Sequence, residues 1–132
     1  MKSTLTYFII FLFINAMNSI GFKSLKHASL IDMVNQTKFI AVKHNVTTED
    51  GYIIEIHQIS KLDNKKNKRV IFVQHGLLCS SDIWLDNGPN SALAYVMAEN
   101  GYNVFLGNVR GNTYGRHHIN ISTGDSEFWN FT

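Results

Sequence analysis

Behind Lys2 the chain runs without a charge from Leu5 to Ile14. Ten residues of helix span ~15 Å, half of a ~30 Å hydrocarbon core, so this stretch is short for a membrane span. Small residues follow at Ala16, Ser19 and Gly21, as they do around a signal-peptide cleavage site. We expect residues 1–21 to be a signal peptide cut near Ser19-Ile20-Gly21 and residues 22–132 to form one domain. An uncleaved membrane anchor is the competing reading. No later segment reaches ~18 consecutive apolar residues, so no transmembrane segment is expected in the mature chain.

Beyond the address the pattern changes twice. Residues 24–37 are mixed and predict a short helix through Leu30, Ile31 and Val34. Ile40, Val42 and Val46 then share one face of an alternating stretch, which predicts a strand. Asp50-Gly51 precedes a second such stretch, Tyr52 to Ile59, and an Asp-Gly pair between apolar runs predicts a hairpin. The cluster from Lys61 to Arg69 reads as a solvated loop rather than a contact for an anionic surface. Val70-Ile71-Phe72-Val73 is apolar without alternation, as in a parallel strand covered on both faces. A helix capped by Asn90 or Ser91 follows over residues 92–99, with Leu93, Val96 and Met97 as its apolar stripe. Asn100-Gly101 closes it, and residues 103–107 form another apolar strand. Strand, helix and strand make a βαβ unit, so the expected fold is mixed α/β: an antiparallel hairpin leading into a parallel βαβ unit.

Composition narrows the class. The 132 residues are 45% hydrophobic, 17% charged and 12% aromatic, which does not fit disorder. Nine glycines without a three-residue period exclude collagen. A formal charge of +2 without a basic face gives no reason to expect a nucleic-acid partner. Cys79 is the single cysteine, which excludes an intrachain disulfide and a cysteine-based zinc cluster. Asn35, Asn45, Asn120 and Asn130 each begin an Asn-x-Ser/Thr sequon, consistent with a secretory glycoprotein.

Candidate chemistry lies in two loops that leave the parallel strands at their carboxyl ends, where open α/β sheets bind ligands. The first begins Gln74-His75-Gly76-Leu77-Leu78-Cys79-Ser80-Ser81, the second Gly107-Asn108-Val109-Arg110-Gly111-Asn112. A His-Gly pair directly after a buried strand has two readings. One is a structural turn. The other is half of an oxyanion hole, where the backbone N–H after the glycine meets the oxygen that becomes negative when an ester carbonyl is attacked.

The longer text around both loops closely resembles the acid lipase family, the lysosomal and gastric lipases and their relatives. The matching segments are Val70 to Ser81, Asn90 to Ala94, Gly101 to Tyr114, Thr48 to Ile53 and Ser126-Glu127-Phe128-Trp129-Asn130-Phe131. They run in family order and spacing from about Ile31 to the end. The resemblance implies the amino-terminal part of an α/β-hydrolase fold with an incomplete sheet. It also implies hydrolysis of neutral-lipid esters, triglyceride or cholesteryl ester, by a secreted or lysosomal glycoprotein that meets a lipid interface and uses no metal or organic cofactor. Leu77 would be the oxyanion donor, and the loop from Gly107 to Gly111 would shape the cleft.

The family's nucleophile sits in Gly-x-Ser-x-Gly, followed by an aspartate and a histidine. None of the three is assignable here. Asn120-Ile121-Ser122-Thr123-Gly124 has Asn where the first glycine belongs, so Ser122 reads as the sequon partner of Asn120. No carboxylate–histidine pair is assigned to activate Ser80 or Ser81. Asp82, Asp86, His117 and His118 read as loop residues, Arg110 and Arg116 as partners of acidic groups, and Cys79 as an unpaired thiol by the cleft. We therefore expect a piece of a longer lipase, inactive alone. The alternative is a non-enzymatic lipid-binding or interaction module derived from one.

Overall fold

A computed structural model describes residues 29–62 and 69–131. The expected signal peptide, the start of the first helix and most of the charged loop lie outside the described residues.

Helix α1 spans Leu30–Asn35. Ser29 caps it, its Oγ accepting from Asp32 N–H at 3.2 Å. Thr37 Oγ1 donates to Val34 C=O at 2.6 Å, which satisfies a terminal carbonyl and stops the helix. Leu30 and Val34, one turn apart, turn inward.

Strand β1 (Phe39–Thr47) pairs antiparallel with β2 (Tyr52–Lys61). The turn is the expected one. Gly51 sits at φ +91°, and a Cβ there would lie 2.7 Å from His118 Nε2, so glycine is needed for conformation and for space. Strand β3 (Arg69–Gln74), helix α2 (Leu93–Glu99) and strand β4 (Tyr102–Gly107) form the βαβ unit, with β3 and β4 parallel. The order across the sheet is β1-β2-β4-β3, so β4 inserts between the hairpin and its own parallel partner. A two-residue strand, β5 (His117–His118), also pairs with β2.

Four expectations are corrected. On β1 the core side is Phe39 and Ala41, while Val42 and Val46 are both 43% exposed. The reason is register: Ala41 lies opposite Ile59, on the face that α1 and α2 cover. The apolar residues of β1 on the other face have no described cover. Strand β3, expected to be covered on both faces, has one neighbour and one covered face among the described residues. Its Ile71 and Val73 align with the buried Val104 and Leu106, whereas Val70 and Phe72 are 64% and 57% exposed. Helix α2 buries Ala94, Tyr95 and Ala98 instead of Leu93 and Val96. Alanines let the helix approach β2 and β4 closely, and Tyr95 packs against Phe39 as a tilted pair with ring centres 4.8 Å apart. Its N-cap is Ala92, which makes no side-chain capping bond, and not Asn90 or Ser91.

The carboxyl-terminal segment folds back onto the start of β2. Tyr52 donates its hydroxyl to Phe128 C=O at 2.6 Å, and the buried Phe128 ring stands edge-on to Tyr52. This places Trp129 and Phe131 beside the loops that follow β3 and β4.

Candidate functional site

The loops after β3 and β4 face each other across an open cleft of about 780 Å³. Leu77, Leu78, Ile83, Val109, Trp129 and Phe131 give it an apolar lining. In the first loop Cys79 N–H donates to Gly76 C=O at 3.3 Å, closing a turn with Leu77 and Leu78 at its tip. Both tip residues stand almost fully in solvent, at 91% and 97% exposure. Leu78 has φ +63°, alone among the described non-glycine residues in the left-handed region. Gly76 does not occupy that region, and a Cβ on it would meet nothing within 4 Å. The left-handed bend of this turn is therefore made at Leu78 and not at the glycine. Among the described residues nothing accepts from Leu77 N–H.

Both ends of this turn are tied to the second loop. His75 Nδ1–H donates to Gly76 C=O at 2.8 Å, leaving Nε2 to accept from Asn112 Nδ2–H at 3.1 Å. At the other end Ser81 N–H donates to Asn108 Oδ1 at 2.9 Å. Asn112 Nδ2 also donates to Asn108 Oδ1 at 2.8 Å, joining the two ties. Asn108 is buried and saturated, its Nδ2 donating to Glu55 C=O at 2.9 Å and to Ser81 Oγ at 3.1 Å. Gly115 closes the second loop: its C=O accepts from Gly111 N–H, and a Cβ there would lie 2.2 Å from Val109 C=O.

Beneath the first loop the structure assembles a constellation that the sequence reading did not find. His57 Nδ1 lies 2.8 Å from Ser81 Oγ, and its Nε2 lies 3.3 Å from Glu55 Oε2. A carboxylate–histidine pair thus does stand beside Ser81, which corrects the expectation that none could be assigned. It does not make Ser81 a nucleophile for substrate, because Ser81 is fully buried and His57 is 1% exposed. The directions of the bonds follow from the partners. Glu55 can only accept, so His57 Nε2 carries the proton. Its Nδ1 then accepts from the Ser81 hydroxyl, which itself accepts from Asn108. Burial holds the His57 pKa below its ordinary value, opposed by the bond to and charge of Glu55. The Tyr114 ring stands edge-on to His57 at 4.6 Å and donates its hydroxyl to Asp82 at 2.8 Å. Burial, reinforced by that carboxylate, pushes the Tyr114 pKa up.

The remaining sequence candidates are placed as follows. Arg110 pairs with Asp50 at 2.7 Å, as expected, and holds its carboxyl down to about 2. Arg116 instead donates to Gly111 C=O at 3.2 Å and lies over the Trp129 ring. Asp82 takes Ser80 Oγ–H and the Tyr114 hydroxyl, so it shapes the loop. His117 and His118 form β5, and His118 is held by Asp50 C=O at 2.8 Å. Cys79 is a half-buried free thiol. Ser122 Oγ donates to Asp125, and the two-residue β5 ends four residues before it, so no strand runs directly into it as an elbow would need. The four sequon asparagines, Asn35, Asn45, Asn120 and Asn130, are all exposed. Among the described residues no helix is long and apolar enough to cross a membrane, and no three His, Cys, Asp or Glu side chains could hold a metal ion together.

With this geometry in place, residues 30–88 match the family model of a partial alpha/beta-hydrolase lipase region. Human gastric triacylglycerol lipase is 44% identical over 94 residues, covering 68% of this chain and 24% of that protein. Human lipase member J is 42% identical over 95 residues, covering 68% and 26% respectively. Triacylglycerol lipase 1 of Arabidopsis thaliana is 31% identical over 102 residues, covering 76% and 26%. The chain thus spans about a quarter of the length of the curated relatives it matches.

Proposed function

Because this chain belongs to the lipases of the α/β-hydrolase fold, as an amino-terminal portion, we propose that its cleft is the oxyanion half of a site that hydrolyses neutral-lipid esters. The observation that carries the proposal is the Leu77 turn. A backbone N–H without an acceptor among the described residues is presented at the carboxyl end of a parallel strand, on a loop tied at both ends, above an apolar cleft. Such a donor stabilises the negative oxygen of a tetrahedral intermediate, provided it does not have to reorganise as charge develops. Leu78, Ile83, Val109, Trp129 and Phe131 suit the acyl chains of triglyceride or cholesteryl ester.

The attacking serine and its proton partners are not among the residues of this sequence. The chain is therefore the binding and oxyanion part of the reaction and has no turnover by itself. We place it in the secretory route, secreted or lysosomal, with residues 1–21 removed, residues 22–132 as the lipase portion, and glycans on the exposed asparagines. No metal or organic cofactor enters this chemistry.

The test is a chimera in which residues 30–131 replace the matching segment of human gastric triacylglycerol lipase. Leu77→Pro removes the amide proton and should lower kcat by about 10²–10³ with secretion retained. Unchanged turnover in a folded variant would refute the assignment. The exposed Leu77–Leu78 tip also supports a second reading, a lipid-binding module without catalysis. That reading predicts that the 132-residue chain alone floats with triglyceride emulsion droplets on centrifugation, and that the chimera gains nothing from Leu77.

A further inference from the structure

We propose that Ser81 is a positioning residue for the Leu77 amide, its hydroxyl locking the exit of the oxyanion turn onto the Glu55–His57 pair of β2 and onto Asn108 of the facing loop. This rests on the reading of Leu77 above and adds what holds that amide in place.

The argument begins with burial. Ser81 and His57 are 0% and 1% exposed, and Asn108 is 7% exposed, so each polar atom among them must be satisfied internally. They satisfy one another in a single directional chain. Asn108 Nδ2–H donates to Ser81 Oγ, Ser81 O–H to His57 Nδ1, and His57 Nε2–H to Glu55 Oε2. Lys43 closes the chain at Glu55 Oε1, 3.0 Å away. Reversing any link would set two donors or two acceptors against each other. The arrangement therefore admits one tautomer of His57 and one orientation of the Ser81 hydroxyl.

The loop needs this lock because of its own backbone. Leu78 in the left-handed region is strained, and such strain persists only where the surroundings impose it. The tip side chains, almost wholly in solvent, supply no such hold. The constraint must come from the ends, which are His75 bound to Asn112 and Ser81 bound to Asn108 and His57. Rigid sheet thus holds a strained, exposed turn through buried side chains, and a preorganised oxyanion donor requires such support.

Backbone 15N relaxation on the labelled 132-residue chain tests the lock, with Ser81→Ala and Asn112→Ala cutting the two ends separately. Ser81→Ala should lower the order parameters of Leu77 and Leu78 from ~0.85 to below ~0.6, while Ile59 and Leu106 stay rigid. Asn112→Ala, at a half-buried position, should loosen the same two residues, and it decides the question if Ser81→Ala does not fold. Imidazole 15N shifts at pH 7 should show His57 protonated at Nε2 alone. Tip residues as ordered in both variants as in the parent, or a His57 protonated at Nδ1, would overturn the proposal. In the chimera Ser81→Ala should lower kcat about tenfold, the scale of one lost buried hydrogen bond, with KM unchanged. A loosened turn with undiminished kcat would instead refute the oxyanion role of Leu77 while upholding Ser81 as its anchor.

Discussion

The two faces of the sheet are written in the same alphabet and end in opposite environments. One face presents Phe39, Ala41, Ile59, Val104 and Leu106, all nearly or fully buried beneath α1 and α2. The other presents Val42, Val46, Val70 and Phe72, between 43% and 64% exposed, with Phe105 beside Phe72 in register. Hydrophobicity alone does not separate them, since valine and phenylalanine stand on both sides of the comparison. What separates them is whether a helix lies on top. Burial here is a property of the partner, and the free energy of an apolar side chain follows the area that its partner removes from water.

The largest expected effect tests the covered face. Ile59 is fully buried opposite Ala41 and next to the β4 pairing. Ile59→Ala should lower stability by about 2–5 kcal/mol, from lost transfer energy and the cavity left behind. Urea denaturation followed by circular dichroism measures it. A loss below about 1 kcal/mol would mean that this face is no tighter than the open one.

The second prediction uses the titratable group buried on that same face. His57 extends the covered face toward the cleft, and its pKa is lowered chiefly by burial. Groups facing it are Glu55 on its own strand, Lys43 on β1, Asp82 after β3 and Tyr114 after β4. A folded-state pKa below the unfolded value of about 6.5 means that the unfolded chain binds the extra proton first. The stability held by neutral His57 is therefore complete above about pH 6.5 and declines as pH falls through that value toward the folded one. Protonation of Nδ1 would also remove the acceptor of the Ser81 hydroxyl. Melting temperatures from pH 7.5 to 5 should fall for the parent and fall less for His57→Gln. Parallel curves would show that His57 does not titrate between the two states.

These contrasts also explain how much was legible in the sequence. Signals carried by neighbouring residues came through: Asp50-Gly51 makes the hairpin, Asn100-Gly101 ends α2, and residues 70–107 give the parallel unit. The choice between faces did not come through. Ile40, Val42 and Val46 form as good an apolar row as Phe39 and Ala41, and only α1 docking on one side decides between them. On α2 larger residues drew the stripe to Leu93 and Val96, although close helix–sheet approach is made by Ala94 and Ala98. At the site, the text around Leu77 was recognisable because a whole loop resembles a family. Glu55, His57 and Ser81 were not, because two strand residues meet a loop residue twenty-four positions later in a contact that no local spacing encodes. One signal was available: Glu55, His57 and Ile59 alternate on one face of β2, which places two titratable groups on the core side.

The smallest expected effect is the most discriminating. Phe72 is 57% exposed on the edge strand, its ring beside Gly107, where a Cβ would lie 2.5 Å from it. Phe72→Ser should change the stability of the 132-residue chain by no more than about 0.5 kcal/mol, as surface substitutions do. It should also reduce self-association, because β3 has an edge unpaired among the described residues and an apolar face to offer another copy. In the chimera with human gastric triacylglycerol lipase, added chain could cover that face, and the same substitution should then cost several times more. A small effect alone and a large one in the chimera would make the open face a core awaiting its cover. If Phe72→Ser alone cost as much as Ile59→Ala, the two faces would be energetically alike and the contrast drawn from their exposure would fail.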